Sequence, residues 1–176
     1  RRGALSAVAL VAQLGRPQAP AALAAQPIAA SPTTERMNSR VKAASTPDAA
    51  RKQIIAGYRA IGSLLDTFDS VTAIEGGDGI RRVLGTVGTG SPVYLIEPAF
   101  RLLFDQDDTL PMEYIEGVEN VMLAIQLADS EAYSANFITF SSAKGKPEDY
   151  FRRSRENIVK ARSGWQELMS LLELKP

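Results

Sequence analysis

The sequence contains no cysteine and no histidine. Together these absences exclude most familiar site chemistry. No zinc site can be built from Cys or His ligands. No Ser-His-Asp or Cys-His nucleophile pair can form. Haem ligation by His or Cys and iron–sulfur clusters are excluded as well. Disulfides are impossible, which leaves the redox compartment open. A carboxylate-only metal site or a Lys/Ser mechanism remains chemically available, but no run of residues visibly arranges one. Strand-like runs are also scarce. "VYLI" (Val93–Ile96) is the one short β-like stretch, and it comes after Ser91-Pro92, a good helix start.

Charge is balanced overall, with 20 basic and 20 acidic residues, but it is unevenly placed. From residue 1 to 45 the cations are Arg1, Arg2, Arg16, Arg36, Arg40 and Lys42 against Glu35, a net of plus five. The remaining 14 cations meet 19 anions, a net of minus five. A basic tail on an acidic body implies two different contact surfaces. A nucleic-acid-binding domain would carry its basic patch on the folded part, so the pattern argues against nucleic acid.

"RRGALSAVALVAQLG" places paired arginines before an apolar run, and Ala22 and Ala24 then flank Leu23. A charged region, a short apolar region and an A-x-A site, in that order, have the form of a translocation signal. The arginine pair is similar to the twin-arginine type. The apolar run is well short of the roughly 20 residues that span a bilayer. Residues 1–25 are therefore read as an import-signal-like segment or a retained arm that makes peripheral membrane contact. Residues 26–45, rich in Ala, Ser, Thr and Pro, read as an extended linker.

Residues 46–176 carry helical periodicity. Thr46 suits an N-cap, with Pro47 at the first helical position and Asp48 in the first turn. Ile54, Tyr58, Ile61, Leu65 and Phe68 form one apolar stripe, and Gly76-Gly77 provides a stop. A second helix is expected around Ile115, Val118, Met122 and Ile125. It is expected to break near Asp129 or Ser130 and to resume for a turn or two through Phe140. The last helix starts at Pro147, Glu148 and Asp149, with its stripe on Phe151, Ile158, Ala161, Trp165, Leu168 and Leu172. Three strong helices and a broken one predict an all-α fold, an up-down four-helix bundle with an extended N-terminal arm. No cation lies between Arg101 and Lys144, whereas Arg152, Arg153, Arg155, Lys160 and Arg162 come after, so an acidic flank is expected beside a basic one.

Between these helices lies "EGGDGIRRVLGTVGTGSPVYLIEP", from Glu75 to Pro98. It resembles a phosphate-binding loop in composition but not in order. A P-loop needs Gly-Lys and then Ser or Thr after a strand, and no lysine is present. Gly85, Gly88 and Gly90 reverse the spacing of a dinucleotide fingerprint. The stretch reads instead as a joint. Asp78 caps a short helix through Leu84, Ser91 caps the next, and Pro98 kinks or divides the helix beyond it. Arg81 and Arg82 then fall in a first turn, where cations are disfavoured, and this marks them for a partner.

"GGDGIRRVLGTVGTGSPVYLIEPAF", "ADSEAYSANFITFSSAKGKPEDYF" and the closing W-x-x-L-x-x-L-L pattern carry a resemblance that spans about Thr46 to Leu174. The chain resembles the PsbQ-like extrinsic lumenal photosystem proteins, the fifth extrinsic protein of diatom photosystem II among them. The resemblance implies a helical bundle in the chloroplast thylakoid lumen, peripheral to the membrane. It implies a non-catalytic subunit with no cofactor of its own, docked on photosystem II. Such subunits support oxygen evolution by shielding the manganese cluster and retaining calcium and chloride. A retained arm departs from that pattern and leaves a photosystem I or antenna assembly open as the partner.

The contact residues expected for a docked subunit are Arg81, Arg82, Arg152, Arg153 and Arg155. Two other classes remain. A carboxylate enzyme or metal binder would use Asp105, Asp107, Asp108, Glu113, Glu116 and Glu119, which do not match EF-hand spacing. A pigment or lipid carrier would line a pocket with Tyr58, Phe68, Tyr94, Phe100, Phe104, Tyr114 and Trp165.

Overall fold

The computed structural model describes residues 42–142 and 145–175. The import-signal-like segment, and the expected linker as far as Val41, lie outside the described residues. Within them the chain is all-helical, with five α-helices and one 3-10 turn and no strand.

Helix α1 (Pro47–Asp66) begins as expected: Thr46 Oγ1 accepts from the Ala49 N–H at 3.3 Å, and Pro47 occupies the first turn. Ile54, Tyr58 and Ile61 are buried along its inner face. The stripe does not stay on one straight helix to Gly76. The chain turns at Thr67 (φ −112°, ψ 14°), and α2 (Phe68–Val83) begins there. Thr67 Oγ1 donates to the Ser63 carbonyl at 2.8 Å, a local bond that competes with the helical ladder and bends it.

Gly76 interrupts α2 at φ 61°, ψ −150°, a conformation that essentially only glycine adopts, so the glycine stop is where it was expected. The expected cap was Asp78. Instead, the Gly77 N–H donates to Asn136 Oδ1 of α4 at 2.7 Å. Asp78 sits inside the restarted helix, where its carboxylate accepts from Asn136 Nδ2 at 3.1 Å and from Arg81 at 3.2 Å. A Cβ on Gly77 would stand 1.9 Å from the Ala132 carbonyl oxygen, so the α2 backbone rests directly on that of α4.

Helix α3 (Ile96–Phe104) starts after Leu95, a left-handed residue at φ 55°. The expectation that Pro98 would kink or divide this helix is not met. Pro98 is the third helical residue, where its missing N–H is one of those a helix start leaves unpaired anyway. Helix α4 (Met112–Phe137) also runs unbroken through Asp129 and Ser130, and the 3-10 turn Ile138–Phe140 comes after it. Ala128, Ala132 and Ala135 give it a narrow inner face there, and Asp129 is tied down from α2.

Helix α5 (Pro147–Leu171) packs along α4 in the opposite direction. The register is fixed by Arg153 Nε to Glu131 Oε2 at 2.9 Å, by Ser154 Oγ to the Ala128 carbonyl at 2.8 Å, and by Gly117 lying against Leu168.

The core centres on Trp165, wholly buried among α1, α3 and α5. Its ring meets Phe100 edge-on at 5.3 Å between centroids. It reaches α1 at Gly57, where a Cβ would come within 2.7 Å of the indole. Tyr114 stacks on Phe104 at 6.0 Å and donates its hydroxyl to the Phe100 carbonyl at 3.1 Å. Each such large side chain contributes about 1.5–3 kcal/mol by leaving water. The Trp165 indole N–H finds no acceptor among the described residues.

Candidate docking surface

The glycine-rich joint is a helix C-terminus. The N–H groups of Leu84, Gly85, Thr86 and Val87 turn back onto the carbonyls of Ile80, Arg82 and Arg81 at 3.0–3.3 Å. Amides that close a helix end in this way are not free to cradle phosphate. The end they close is the negative pole of the helix dipole. Gly85 (φ 74°) is where the chain reverses, and a Cβ there would stand 2.5 Å from the Tyr94 nitrogen. Ser91 is nearly fully buried. Its hydroxyl donates to the Val83 carbonyl and accepts from the Val93 N–H, the expected capping bond, though only a turn intervenes before Leu95. Gln53 of α1 clamps that turn through the Pro92 and Tyr94 carbonyls at 3.2 and 2.9 Å.

Arg81 and Arg82 therefore occupy the last turn of α2, where cations are favoured, and not the first turn expected from the sequence. The difference arises because the helix does not start at Asp78. Arg81 faces inward. Its Nε meets Asp129 Oδ1 at 2.9 Å, its other arm reaches Asp78 at 3.2 Å, and its guanidinium lies 4.9 Å over the Tyr133 ring. Thr86 donates to the same Asp129 oxygen. Burial opposes the Arg81 charge, but the bonds to Asp129 and then Asp78 outweigh it and hold the group above its ordinary value. Arg82 pairs with Glu75 across the Gly76 break and stays half-exposed.

On α5, Arg153 faces α4 through Glu131 and covers the Tyr150 ring at 4.3 Å. The Glu131 hydrogen bond raises its pKa, against a smaller cost of desolvation. Arg152 is exposed and pairs with Glu156 one turn on, at 2.9 Å. Arg155 is exposed and lies 5.7 Å from the Phe68 ring. Arg81 and Arg153 thus grip the C-terminal half of α4 from opposite sides, while Arg82, Arg152 and Arg155 point to solvent. The single α4–α5 ion pair among the described residues is Arg153–Glu131, so the acidic and basic flanks touch at one point only.

The carboxylates considered for a metal do not converge. Among the described residues no three acidic side chains form a metal-binding group. Asp107 accepts from the Thr109 hydroxyl and N–H, and these bonds lower its pKa. Of the aromatic residues considered for a pocket, Phe100, Phe104, Tyr114 and Trp165 pack on one another, while Tyr58 and Phe68 are buried beneath Arg162 and Arg155. A groove lies elsewhere, between α4 and α5. It is about 240 Å³ and is lined by Leu123, Ala124, Leu127, Lys160 and Gly164. Sequence reasoning missed it, because Leu123 and Leu127 fall outside the stripe used to place α4. No described helix is long and apolar enough to cross a membrane.

Compared with protein families, curated proteins and solved structures, the chain matches none of them.

Proposed function

We propose that this chain is a non-catalytic extrinsic subunit, docked on the lumenal side of a photosystem II complex, which it stabilises in support of oxygen evolution. In this reading α1, α2, α4 and α5 form an up-down four-helix bundle, α3 is a short insert, and the basic N-terminal segment is an arm. The observation that carries the proposal is the split among the five arginines. Two lock helices together, and three are left exposed around the same half of the molecule. Exposed cations on a rigid body set orientation and encounter rate with an acidic partner more than they set affinity. The PsbQ-like resemblance supplies the membrane complex as that partner.

The test is rebinding to salt-washed thylakoid particles. The purified chain should rebind, release as ionic strength rises, and restore part of the lost oxygen evolution. Reversing both exposed α5 arginines (Arg152→Glu with Arg155→Glu) should weaken rebinding at least about tenfold. The reading fails if the chain never rebinds and no photosystem particle carries it. Recovery with photosystem I particles alone would move the docking site to that assembly.

A further inference from the structure

The groove between α4 and α5 has an apolar floor and a polar rim, and the rim is unengaged. Ala124 and Gly164 form the floor, and Leu123 and Leu127, 53% and 47% exposed, form the α4 wall. A Cβ on Gly164 would touch Val121 at 3.0 Å, so the seam beneath is closed. The polar part of the lining is Asn120, Asn157 and Lys160. None of these three side chains makes a hydrogen bond or an ion pair with another described residue. Mostly apolar walls with a few convergent polar groups are the makings of a small-molecule site.

Lys160 is the single charged side chain in that lining. The carboxylates one turn away are already taken. Glu156, four residues before Lys160, pairs with Arg152 at 2.9 Å. Glu131, four residues after Leu127, pairs with Arg153 at 2.9 Å, and Asp129 turns to α2 through Arg81. Exposed Glu113, Glu116, Glu119 and Glu167 lie towards the opposite end, beyond Asn120 and Gly164. The Lys160 ammonium thus has no counter-charge of its own at the groove. Asn157 and Lys160, three residues apart on α5, are neighbours on the helix surface. They offer an amide N–H and an ammonium side by side.

From these observations we infer that the groove binds a small amphipathic acid, a compact apolar chain or ring that carries one carboxylate. The chain lies over Ala124 and Gly164, against the exposed leucines. One carboxylate oxygen accepts from the Lys160 ammonium, a charge-assisted bond, and the other accepts from Asn157 Nδ2. The head then sits at the end of the groove away from Glu116 and Glu167. At about 240 Å³ the groove is smaller than the roughly 300–1,000 Å³ of drug-sized ligand sites, which limits the occupant to a short chain. The inference goes beyond photosystem docking and does not depend on it.

Octanoate is the probe, titrated as monomer into the full chain at low ionic strength and followed by amide NMR shifts. Saturable shifts are expected at Leu123, Ala124, Leu127, Lys160 and Gly164. The dissociation constant should be about 1 mM, in keeping with about ten non-hydrogen atoms in an open groove. Octylammonium should bind at least about fivefold more weakly, and Lys160→Glu should reverse that preference. Lys160 is exposed, so the helical circular dichroism of this variant should match the wild type. Leu123→Ser with Leu127→Ser should weaken both probes. The inference is overturned if octanoate gives no saturable shifts, if the shifts fall outside the groove, or if the two probes bind equally. It is also overturned if Lys160→Glu leaves the preference unchanged. Failure of photosystem rebinding with octanoate binding intact removes only the functional proposal.

Discussion

Tyr114 is the residue whose chemistry departs furthest from its behaviour in water. It is fully enclosed, its hydroxyl bonds to the Phe100 carbonyl, and burial pushes its pKa far above the ordinary tyrosine value. A folded-state pKa above the unfolded one means the folded state holds its proton longer. Its contribution to stability is intact below the unfolded value of about 10 and is lost as pH rises beyond it. An ultraviolet titration should therefore show the Tyr114 ionisation coinciding with unfolding, and not preceding it. A steeper control comes from Gly57. Alanine there would press a methyl to 2.7 Å from the Trp165 ring, so Gly57→Ala should cost about 1–3 kcal/mol in urea denaturation. A neutral result would show that the ring can move aside.

At the scale of elements, the joint between α2 and α4 rests on polar contacts. Arg81 and Asp129 are about four-fifths shielded from water, and the pair also recruits Thr86 and Asp78. A double-mutant cycle with Arg81→Ala and Asp129→Ala should return a coupling of about 1 kcal/mol, above that of ordinary surface pairs. Asn136→Ala should lose a further ~1 kcal/mol, because it uncaps Gly77. Thermal unfolding of the variants measures both. Legibility in the sequence divides along the same line between local and distant contacts. Thr46, Pro47 and Pro147 announce their helix starts in local sequence, and the structure uses them so. The Gly76 stop was equally local. The cap supplied by Asn136 was not, since it comes from 59 residues away. Nor was the inward role of Arg81, because a sequence window cannot show that Asp129 waits opposite. The continuity of α4 through Asp129 has the same cause: a residue that would favour a break is satisfied by a neighbouring helix.

For the whole molecule, stability should be uneven. The α4–α5 hairpin joins two long helices along a close seam with Ser154, Gly117 and Gly164 in contact. Helix α2 is interrupted at Gly76, and the joint after it is held by loop bonds. Amide hydrogen exchange should find the slowest protons in Val118–Ala128 and Ser154–Trp165, opening only with global unfolding. Protons around Gly85–Gly90 should exchange through local opening at lower free energy. Uniform protection across these regions would contradict this ordering. The sequence announced an all-helical molecule through its periodic stripes, but the pairing of faces depended on small residues such as Gly77 and Gly117, whose contacts appear only once the chain is folded.

Trp165 is the sole indole in the chain. It lies against Phe100 and the bare backbone of Gly57, with its ring nitrogen unpaired among the described residues. Nature has in effect installed a single lamp at the point where α1, α3 and α5 converge. Its glow in the native state should be blue, as from an oily solvent, and any loosening of that convergence should redden it before the distant joint notices.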